Sequence, residues 1–458
     1  MALIFLTPSY CFNEVAWVAQ VVLNEFLGIN YRIDTHEEKD FFILYEGKTL
    51  RISNSFLVYA ENEALHLASL ADVPLLTLDV AAIRFDVSLD SAYLPVLFGS
   101  DRFEFHENSI VSGVDIIGTI FFMLSRYEEV VSPDRDQYNR FPATASLAYQ
   151  KGFLERPIVD EYVELLWACL KQFWPNLTRK KHSAKINVTC DVDRPFDCTV
   201  KNYKKLLRTV GGDIVKRKNP LEAMKRVNGY CFNKLGSFRF DPHYTFDWYM
   251  DICEQNNLCV TFYFIADNSE PNNGCYSLKE RRVLYLIEKI YKRGHKIGLH
   301  GSYNTYRNPL KIFTERQKLQ MICDKIAPIN IEGNRQHYLR WDAAQTPDHL
   351  DAAGFTYDST GGYADHPGFR FGTGREFTMW SWKKKSKLSI KQHPLIFMEC
   401  SVIEDYYLGL GYSEKAYELV YKLKERTRRY GGNFTFLWHN SSLKTNEERS
   451  FFIDTIMY

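Results

Sequence analysis

The sequence has almost no surplus of charge of either sign. Its 57 Lys and Arg residues are balanced by 56 Asp and Glu residues, which leaves a formal net charge of +1. Proteins that hold the phosphate backbone of nucleic acid usually carry a strong positive field. The charge balance therefore argues against nucleic acid as a partner.

Long apolar runs are also missing, and none reaches the roughly 20 residues that a membrane-spanning helix needs. The apolar start, Met1–Pro8, has no basic residues before it and no small-residue cleavage site after it, so we expect a strand there rather than a signal peptide. The ten cysteines lack the spacing of a disulfide framework, which is typical of reduced thiols. These features predict a cytoplasmic protein.

Neither internal repeats nor low-complexity tracts mark a boundary, so the organisation of the chain must be inferred from local patterns. Before about Leu177, apolar segments that we predict as strands, such as 41–45 and 56–59, mix with segments that we predict as helices, such as 13–27 and 159–173. This mixture predicts a small N-terminal α/β domain.

A polar and basic run, Thr178–Ser183, is the best candidate for a linker. A chain of 458 residues is too long for one ordinary core. We therefore predict two domains, at 1–177 and 178–458. The sequence defines neither the role of the first domain nor the oligomeric state.

Apolar strands alternate with helices in the C-terminal part. The predicted strands lie at 185–190, 258–266, 296–299 and 434–438. Such alternation is typical of a parallel sheet or barrel, whose active site lies at the C-terminal ends of the strands. The first, third and last of these strands each lead into an Asp or a His.

The first of these strands ends in two carboxylates, Asp191 and Asp193. At a strand end the chain can bend enough for both to approach one point. One carboxylate could then bind a divalent metal while the other accepts a proton from water. Taken alone, the pair is more typical of a loop with an Asx turn and a helix cap.

Histidines follow two further strands, His300 after the third and His439 after the last. A neutral imidazole leaving a barrel strand is a good metal ligand, and a His at the same face could act as a general acid. A second ligand four residues after His300 would suit one helical turn. A single His is nevertheless more often packed and hydrogen-bonded than bound to a metal.

In their order along the chain, these motifs resemble the polysaccharide deacetylase family, which is defined by the NodB-homology domain and corresponds to carbohydrate esterase family four. Thr189–Asp193 matches Thr-x-Asp-x-Asp, and His300 follows Gly-His-x-Ile-Gly. Arg335–Tyr338 stands where the family has an Arg motif, and His439 ends a Leu-x-His motif. The match covers about Ile186 to Leu443.

Four further sequence segments resemble a subgroup of this family that is associated with surface-glycan biosynthesis. In that subgroup, an uncharacterised N-terminal domain precedes the deacetylase domain. These segments lie at 125–129, 335–340, 368–370 and 437–442. The resemblance implies an α/β fold in which a distorted (β/α) barrel of about seven strands follows a smaller N-terminal α/β domain.

The resemblance also implies an activity. A metal-dependent N-deacetylase would hydrolyse the acetamide of an N-acetylated amino sugar in surface polysaccharide or lipopolysaccharide biosynthesis. The implied roles are those of general base for Asp191, general acid for His439, holder of Asp191 for Arg335, backbone N–H donor to the oxyanion for Tyr338, and orienting acid for Glu399.

The implied metal is zinc, with nickel or cobalt as alternatives, and the implied ligands are Asp193 and His300. The family has a second His where this chain has Asn304, which is a weaker and harder ligand. The metal would then be loosely held, completed by another ligand such as His337, or lost. His337, which stands where the family has Pro, is interpreted as a substrate contact or a packed ring, and Trp438 as a second substrate contact.

Two other features bear on the substrate. Lys and Arg crowd the insertion at 201–226, and aromatic rings adjoin lysines at Trp380–Lys385. Both are typical of an ordinary solvated surface or core edge. Both also suit a phosphate-bearing or lipid-linked carbohydrate, or a peripheral membrane contact.

Two alternative functions stay open. The first is a non-catalytic glycan-binding barrel that has lost its metal, which Asn304 favours. The retention of Asp191 and His439 argues against it, because a binding protein needs neither a base nor an acid. The second is hydrolysis of a cyclic or purine-derived amide on the same scaffold.

Overall fold

The computed structural model describes residues 3–58, 75–83, 86–197, 203–238 and 240–457. The protein has a mixed α/β architecture with sheets of six, nine and two strands. Among the described residues, no helix is both long enough and apolar enough to cross a membrane.

The regular elements are numbered here in chain order. The strands are β1 (Leu3–Pro8), β2 (Tyr31–His36), β3 (Phe41–Tyr45), β4 (Lys48–Ile52), β5 (Leu76–Asp79), β6 (Tyr93–Val96), β7 (Gly99–Phe105), β8 (Ser109–Val114), β9 (Lys185–Val192), β10 (Val260–Ile265), β11 (Lys296–Gly301), β12 (Gly333–Gln336), β13 (Tyr357–Asp358), β14 (Phe377–Ser381), β15 (Ser386–Gln392), β16 (Phe397–Met398) and β17 (Asn433–Leu437). The α-helices are α1 (Phe12–Ala19), α2 (Ile116–Ser125), α3 (Tyr127–Val131), α4 (Leu147–Gln150), α5 (Ile158–Phe173), α6 (Tyr203–Val215), α7 (Pro220–Lys234), α8 (Phe246–Gln255), α9 (Arg281–Lys292), α10 (Pro309–Cys323), α11 (Thr346–Ala352), α12 (Glu399–Ile403), α13 (Glu414–Arg429) and α14 (Asn446–Ile456).

The six-stranded sheet lies in the N-terminal part and has the order β2-β1-β3-β4-β8-β7. β1 pairs in parallel with β2, and β4 with β8, whereas the other neighbours are antiparallel. The strands predicted at 1–8, described from Leu3 onward, and at 41–45 are confirmed, as is the helix at 159–173. The helix predicted at 13–27 is α1, continued by π-helical Gln20–Phe26.

The strand predicted at 56–59 is wrong, because its first three residues are helical, and Tyr59 lies outside the described residues. The backbone N–H groups of Ser55 and Phe56 donate to Oδ2 of Asp115 at 2.8 and 2.7 Å. A carboxylate that accepts from such N–H groups stabilises the start of a helical turn. Because Asp115 lies 60 residues from Ser55 in sequence, the local pattern could not reveal this cap.

The nine-stranded sheet lies in the C-terminal part and has the order β14-β15-β13-β12-β11-β10-β9-β17-β16. Its neighbouring strands are all parallel except β14 and β15. The sheet curls into a half-barrel, but its end strands β14 and β16 do not pair with each other in the described part of the chain. The α/β class is confirmed, whereas a complete barrel of about seven strands is not.

The strands predicted in the C-terminal part correspond to β9, β10, β11 and β17. The successive residues Cys190 and Asp191 of β9 point to opposite faces of the sheet, and both are buried. This is expected for a parallel strand that is covered on both sides. The register places Asp191 beside Tyr263 of β10, and His300 of β11 beside Arg335 of β12. Because parallel strands share their carboxyl edge, the polar side chains at these strand ends converge.

The two predicted domains meet in one continuous buried core. The ring centroids of Trp17 and Trp380 lie 5.3 Å apart. Arg370 donates from Nε and Nη2 to the Glu129 carboxylate at 2.8 and 2.6 Å, and both side chains are buried. The boundary near residue 177 stays a prediction.

One cysteine departs from the expected reduced state. Within the described parts of the chain, eight cysteines are free, whereas Cys275 is disulfide-bonded. The expectation of reduced thiols is therefore wrong at this position, which the spacing of the cysteines in the sequence did not indicate.

Candidate active site and metal centre

A cavity of about 480 Å³ opens at the carboxyl edge of the nine-stranded sheet. The sequence-predicted residues that line it are Asp191, Asp193, His300, His337, Tyr338 and His439. They come from the ends of β9, β11, β12 and β17, as expected for a site built on parallel strands. The structure thus brings most of the sequence-predicted residues to one place.

Three side chains in this cavity form a compact cluster. Nε2 of His300 lies 3.2 Å from Oδ1 of Asp193, and Nδ1 of His337 lies 3.4 Å from the same oxygen. The two facing imidazole nitrogens are 3.0 Å apart. These three residues could hold a metal ion.

Backbone carbonyls fix which ring nitrogens carry the protons. Nδ1 of His300 lies 2.8 Å from the carbonyl oxygen of Arg335, and Nε2 of His337 lies 2.9 Å from that of Asn272. A carbonyl oxygen can only accept, so each of these nitrogens donates. In the neutral rings, the facing nitrogens of His300 and His337 therefore both present lone pairs to Asp193.

This arrangement fits a divalent cation. Three lone pairs that point at one another repel unless a cation lies between them, and Oδ1 of Asp193 is buried without a hydrogen-bond donor. In a tetrahedral site with bonds of about 2.0–2.1 Å, ligand atoms stand about 3.3 Å apart. The observed separations of 3.0, 3.2 and 3.4 Å are close to that value.

The pKa shifts of the three cluster residues also fit a bound cation. Burial lowers the pKa of His337, which favours the neutral ring that a metal requires. Burial alone would lower the pKa of His300 as well, but Asp191 and Asp193 raise it. Burial alone would raise the pKa of Asp193, but the neighbouring imidazoles lower it. The cluster therefore attracts positive charge.

Asp191 lies beside the cluster, and the guanidinium of Arg335 contacts its carboxylate. Nη1 of Arg335 lies 3.5 Å from Oδ1 of Asp191, while Nη2 donates to the hydroxyls of Thr189 and Ser359 at 3.1 and 2.9 Å. Oδ2 of Asp191 lies 3.5 Å from Nε2 of His300. Since Arg335 is completely buried, its guanidinium is a fixed support for the carboxylate.

His439 and Glu399 form a buried ion pair at another wall of the cavity. Nδ1 of His439 lies 2.6 Å from Oε1 of Glu399, which also accepts from the His439 backbone N–H at 3.0 Å. Burial opposes protonation of the ring, but the Glu399 carboxylate outweighs it and raises the pKa of His439 well above its usual value. Nε2 of the ring lies 3.7 Å from Oδ2 of Asp193. The Glu399 carboxylate therefore favours the protonated form of His439, whose ring faces the cluster.

Asn304, an expected metal ligand, and Trp438, an expected substrate contact, do not line the cavity. Asn304 is exposed, its Nδ2 donates to Glu270 at 2.5 Å, and its Oδ1 accepts from Arg340 at 3.0 Å. His337, and not Asn304, supplies the third possible ligand atom beside Asp193 and His300. Trp438 is completely buried and donates from Nε1 to the Ser442 carbonyl at 2.8 Å, so it is a core residue that cannot touch a substrate.

The tryptophans at Trp380–Lys385 also belong to the core. Trp380 and Trp382 both pack against Phe121, with ring centroids 5.6 and 5.7 Å away. Nε1 of Trp382 donates to the carbonyl oxygen of Ser125 at 2.8 Å. Their rings are therefore not positioned to bind a sugar or a membrane.

Several residues that line the cavity were not expected from the sequence, and Arg140 and Cys400 are two of them. Arg140 comes from the N-terminal part, and Cys400 follows Glu399. Sγ of Cys400 lies 3.8 Å from Nδ1 of His439, and burial raises its pKa to about 11, so it stays a thiol at neutral pH. No motif in the sequence marked either residue.

Comparison with known proteins gives distant likenesses only. A family model described as "Family of unknown function (DUF7033)" matches residues 3–175, and no curated protein matches the chain. A solved structure described as a polysaccharide deacetylase from Mycobacterium smegmatis is 18% identical, with 60% of this chain and 84% of that chain covered and a TM-score of 0.38. Another, described as a polysaccharide deacetylase involved in O-antigen biosynthesis from Bordetella bronchiseptica, is 14% identical, with 43% and 66% covered and a TM-score of 0.25. At these scores, an activity must be inferred from the site itself.

Proposed function

We propose that the protein is a metal-dependent N-deacetylase that hydrolyses the acetamide of an N-acetylated amino sugar. The observation that carries the proposal is the convergence of two imidazole lone pairs and a carboxylate oxygen at Asp193, His300 and His337. A separate carboxylate, Asp191, and the imidazole of His439 stand beside this cluster. Hydrolysis of an amide needs these same three functions, namely electrophilic assistance, a base and an acid.

Asp193, His300 and His337 would hold the cation. Their two nitrogens and one oxygen suit zinc, with nickel or cobalt as alternatives. When bound, such a cation supplies a Lewis acid that polarises the amide carbonyl and lowers the pKa of adjacent water. This ligand set replaces the expected contribution of Asn304.

Asp191 is the proposed general base. Its carboxylate would accept a proton from the water that attacks the amide carbon, while Arg335 holds it in position. The backbone N–H of Tyr338, which lines the cavity, would stabilise negative charge on the carbonyl oxygen.

His439 is the proposed general acid. As the C–N bond breaks, the departing amine takes the proton from Nε2, because the opposite nitrogen is engaged by Glu399. The products are acetate and a free amino sugar. The proton that Asp191 accepted recharges His439, and the second proton of the water passes from the carboxylic acid product to the amine. The ion pair with Glu399 keeps the ring charged before this step.

The alternative of a glycan-binding protein without catalysis is less well supported. A binding protein has no need of a buried imidazolium beside a carboxylate, and desolvating such groups costs stability. The resemblance of the sequence motifs to the surface-glycan subgroup supports a role in surface polysaccharide or lipopolysaccharide biosynthesis.

Metal content and acetate release together test the proposal. The protein would be purified without chelator or affinity metal, analysed for bound metal, and incubated with a panel of free, oligomeric and nucleotide-linked N-acetylated amino sugars. We expect about one divalent ion per chain and metal-dependent release of acetate from at least one sugar. Tight sugar binding without acetate release in the metal-loaded protein would instead establish the binding alternative.

A further inference from the structure

Helices α6 and α7 form a hairpin, residues 203–234, that presents apolar side chains to solvent. On α6, Tyr203, Leu207 and Ile214 recur at the spacing of one helix face and are between 51% and 67% exposed. Single exposed apolar residues are normal on a protein surface, but a repeated set on one face marks a contact surface.

The second helix of the hairpin repeats this feature. Leu221 and Met224 share one face of α7, Leu235 follows directly after the helix, and the three side chains are 56%, 55% and 81% exposed. The two helices pack against each other, and other positions on them, such as Leu206 and Ala223, are buried. Both helices therefore keep an apolar face that the described residues do not cover.

The same hairpin is strongly basic. Its Lys and Arg residues are Lys204, Lys205, Arg208, Lys216, Arg217, Lys218, Lys225, Arg226 and Lys234, and its acidic residues are Asp213 and Glu222. Asp213 pairs with Arg217 at 2.6 Å and with Arg226 at 2.9 Å, and Glu222 lies 3.4 Å from Arg226. Nine positive charges against two negative ones leave an excess of seven on a chain whose net charge is only +1.

We propose that this hairpin docks on a membrane surface that contains anionic lipid. Amphipathic helices that lie at a bilayer surface combine exposed apolar side chains with flanking Lys and Arg. The apolar residues would enter the boundary of the acyl chains while the basic residues meet the lipid phosphates. The excess of positive charge favours this occupant over an apolar protein partner.

Docking would place the catalytic cavity near the membrane. Arg226 of the hairpin forms an ion pair with Asp197, which follows β9 by only a few residues. Arg194, between β9 and Asp197, lines the cavity and is exposed. The membrane contact itself does not depend on the proposed deacetylase activity.

Vesicle co-sedimentation of the full chain tests the proposal. We expect binding to phosphatidylcholine vesicles that contain phosphatidylglycerol, weaker binding as salt rises, and little binding to pure phosphatidylcholine. The variant Lys204→Glu/Lys205→Glu/Arg208→Glu should lose more than about tenfold in affinity, because each basic residue near an anionic surface adds to the attraction. Leu207→Ser/Leu221→Ser should also bind more weakly.

The matched control is Lys383→Glu/Lys384→Glu/Lys385→Glu, an equal change of charge on an exposed turn away from the hairpin. It should bind vesicles as the unchanged protein does. Equal binding by the hairpin and control variants would overturn the proposal, as would no binding to anionic vesicles. A dimer in sedimentation velocity that Leu207→Ser/Leu221→Ser abolishes, without vesicle binding, would assign the apolar face to a second copy of the chain.

Discussion

Arg140 donates a hydrogen bond from Nη1 to the carbonyl oxygen of Tyr338 at 2.9 Å. Tyr338 has a left-handed backbone, with φ of 61°, and lines the cavity at the carboxyl edge of the nine-stranded sheet. Arg140 belongs to the N-terminal part of the chain, where Asp136 holds its Nε at 2.8 Å. The N-terminal part therefore supplies a piece of the cavity wall. It also restrains Tyr338, whose backbone N–H is proposed to stabilise the oxyanion.

Replacing Arg140 by Ala should lower kcat by about ten- to hundredfold, because small displacements of groups at the reacting centre are costly. Arg135→Ala is a suitable control, since Arg135 donates only to carbonyls of its own segment, such as those of Ser132 and Glu129. Acetate release under saturating substrate measures the effect. Equal kcat values for the two variants would show that the contact with Tyr338 does not affect the reaction.

Removal of the His337 imidazole should weaken metal binding more than removal of the Asn304 amide. We expect His337→Ala to lower the affinity for zinc by more than about a hundredfold, because loss of a ligand exceeds the loss caused by an outer-shell change. Asn304→Ala should bind zinc with nearly the affinity of the unchanged protein, since the Asn304 amide contacts Glu270 and Arg340 and not the cluster. Competition with a zinc chelator measures both. The opposite ranking would return the ligand role to Asn304.

Asp191→Asn should remove proton acceptance while preserving the shape of the side chain. We expect turnover to fall by about 10² to 10⁴-fold, with metal content and thermal stability little changed. Acetate release and metal analysis on the same preparation separate the two effects. Retention of turnover would assign the base to another group.

Glu399→Gln should leave the His439 ring without its charged partner. We expect kcat to fall by roughly a hundredfold or more with a smaller change in KM, because the acid loses both its charge and its orientation. Cys400→Ala tests the neighbouring thiol and should have little effect, since Cys400 contacts the same ring only at 3.8 Å. Similar losses in both variants would argue for damage to packing rather than to acid catalysis.

Asp160 should make stability depend on pH. Burial raises the pKa of Asp160 from 3.8 to about 7, despite the attraction of Arg375. Between those values the folded protein keeps a proton that the unfolded chain has released, so the free energy of unfolding falls as pH rises. Because each pKa unit corresponds to about 1.4 kcal/mol, the fall is at most about 4 kcal/mol.

Urea unfolding at several pH values compares the unchanged protein with Asp160→Asn. The variant lacks this titration, so its stability relative to the unchanged protein should rise from pH 4 to pH 7. Asp454→Asn, at an exposed position, should give a parallel profile. If the Asp160→Asn profile is parallel as well, Asp160 does not titrate in this range.

The strands that carry the site were predictable from sequence for a simple reason. β9, β11 and β17 are short apolar runs. Asp191 and His300 lie next to the last residues of β9 and β11, and His439 follows β17 by two residues. Parallel strands bring their carboxyl ends to one edge, so the position of these residues in the chain was enough to expect their convergence.

The third member of the metal cluster was not predictable in the same way. Spacing favoured Asn304, which lies one helical turn after His300, but the turn there directs its amide to Arg340. His337 reaches the cluster because β12 pairs with β11, and because the chain turns sharply at Tyr338. Such a contact depends on tertiary geometry, which local spacing does not encode.

The buried pair of Arg370 and Glu129 limits how the chain can be shortened. If the residues before 178 were deleted, the Arg370 guanidinium would lose its counter-ion in an apolar surrounding, and Trp380 would lose the ring of Trp17 that covers it. The nine-stranded sheet is therefore not an autonomous module. Expression of the C-terminal half alone should give insoluble material, and biochemical work requires the intact chain.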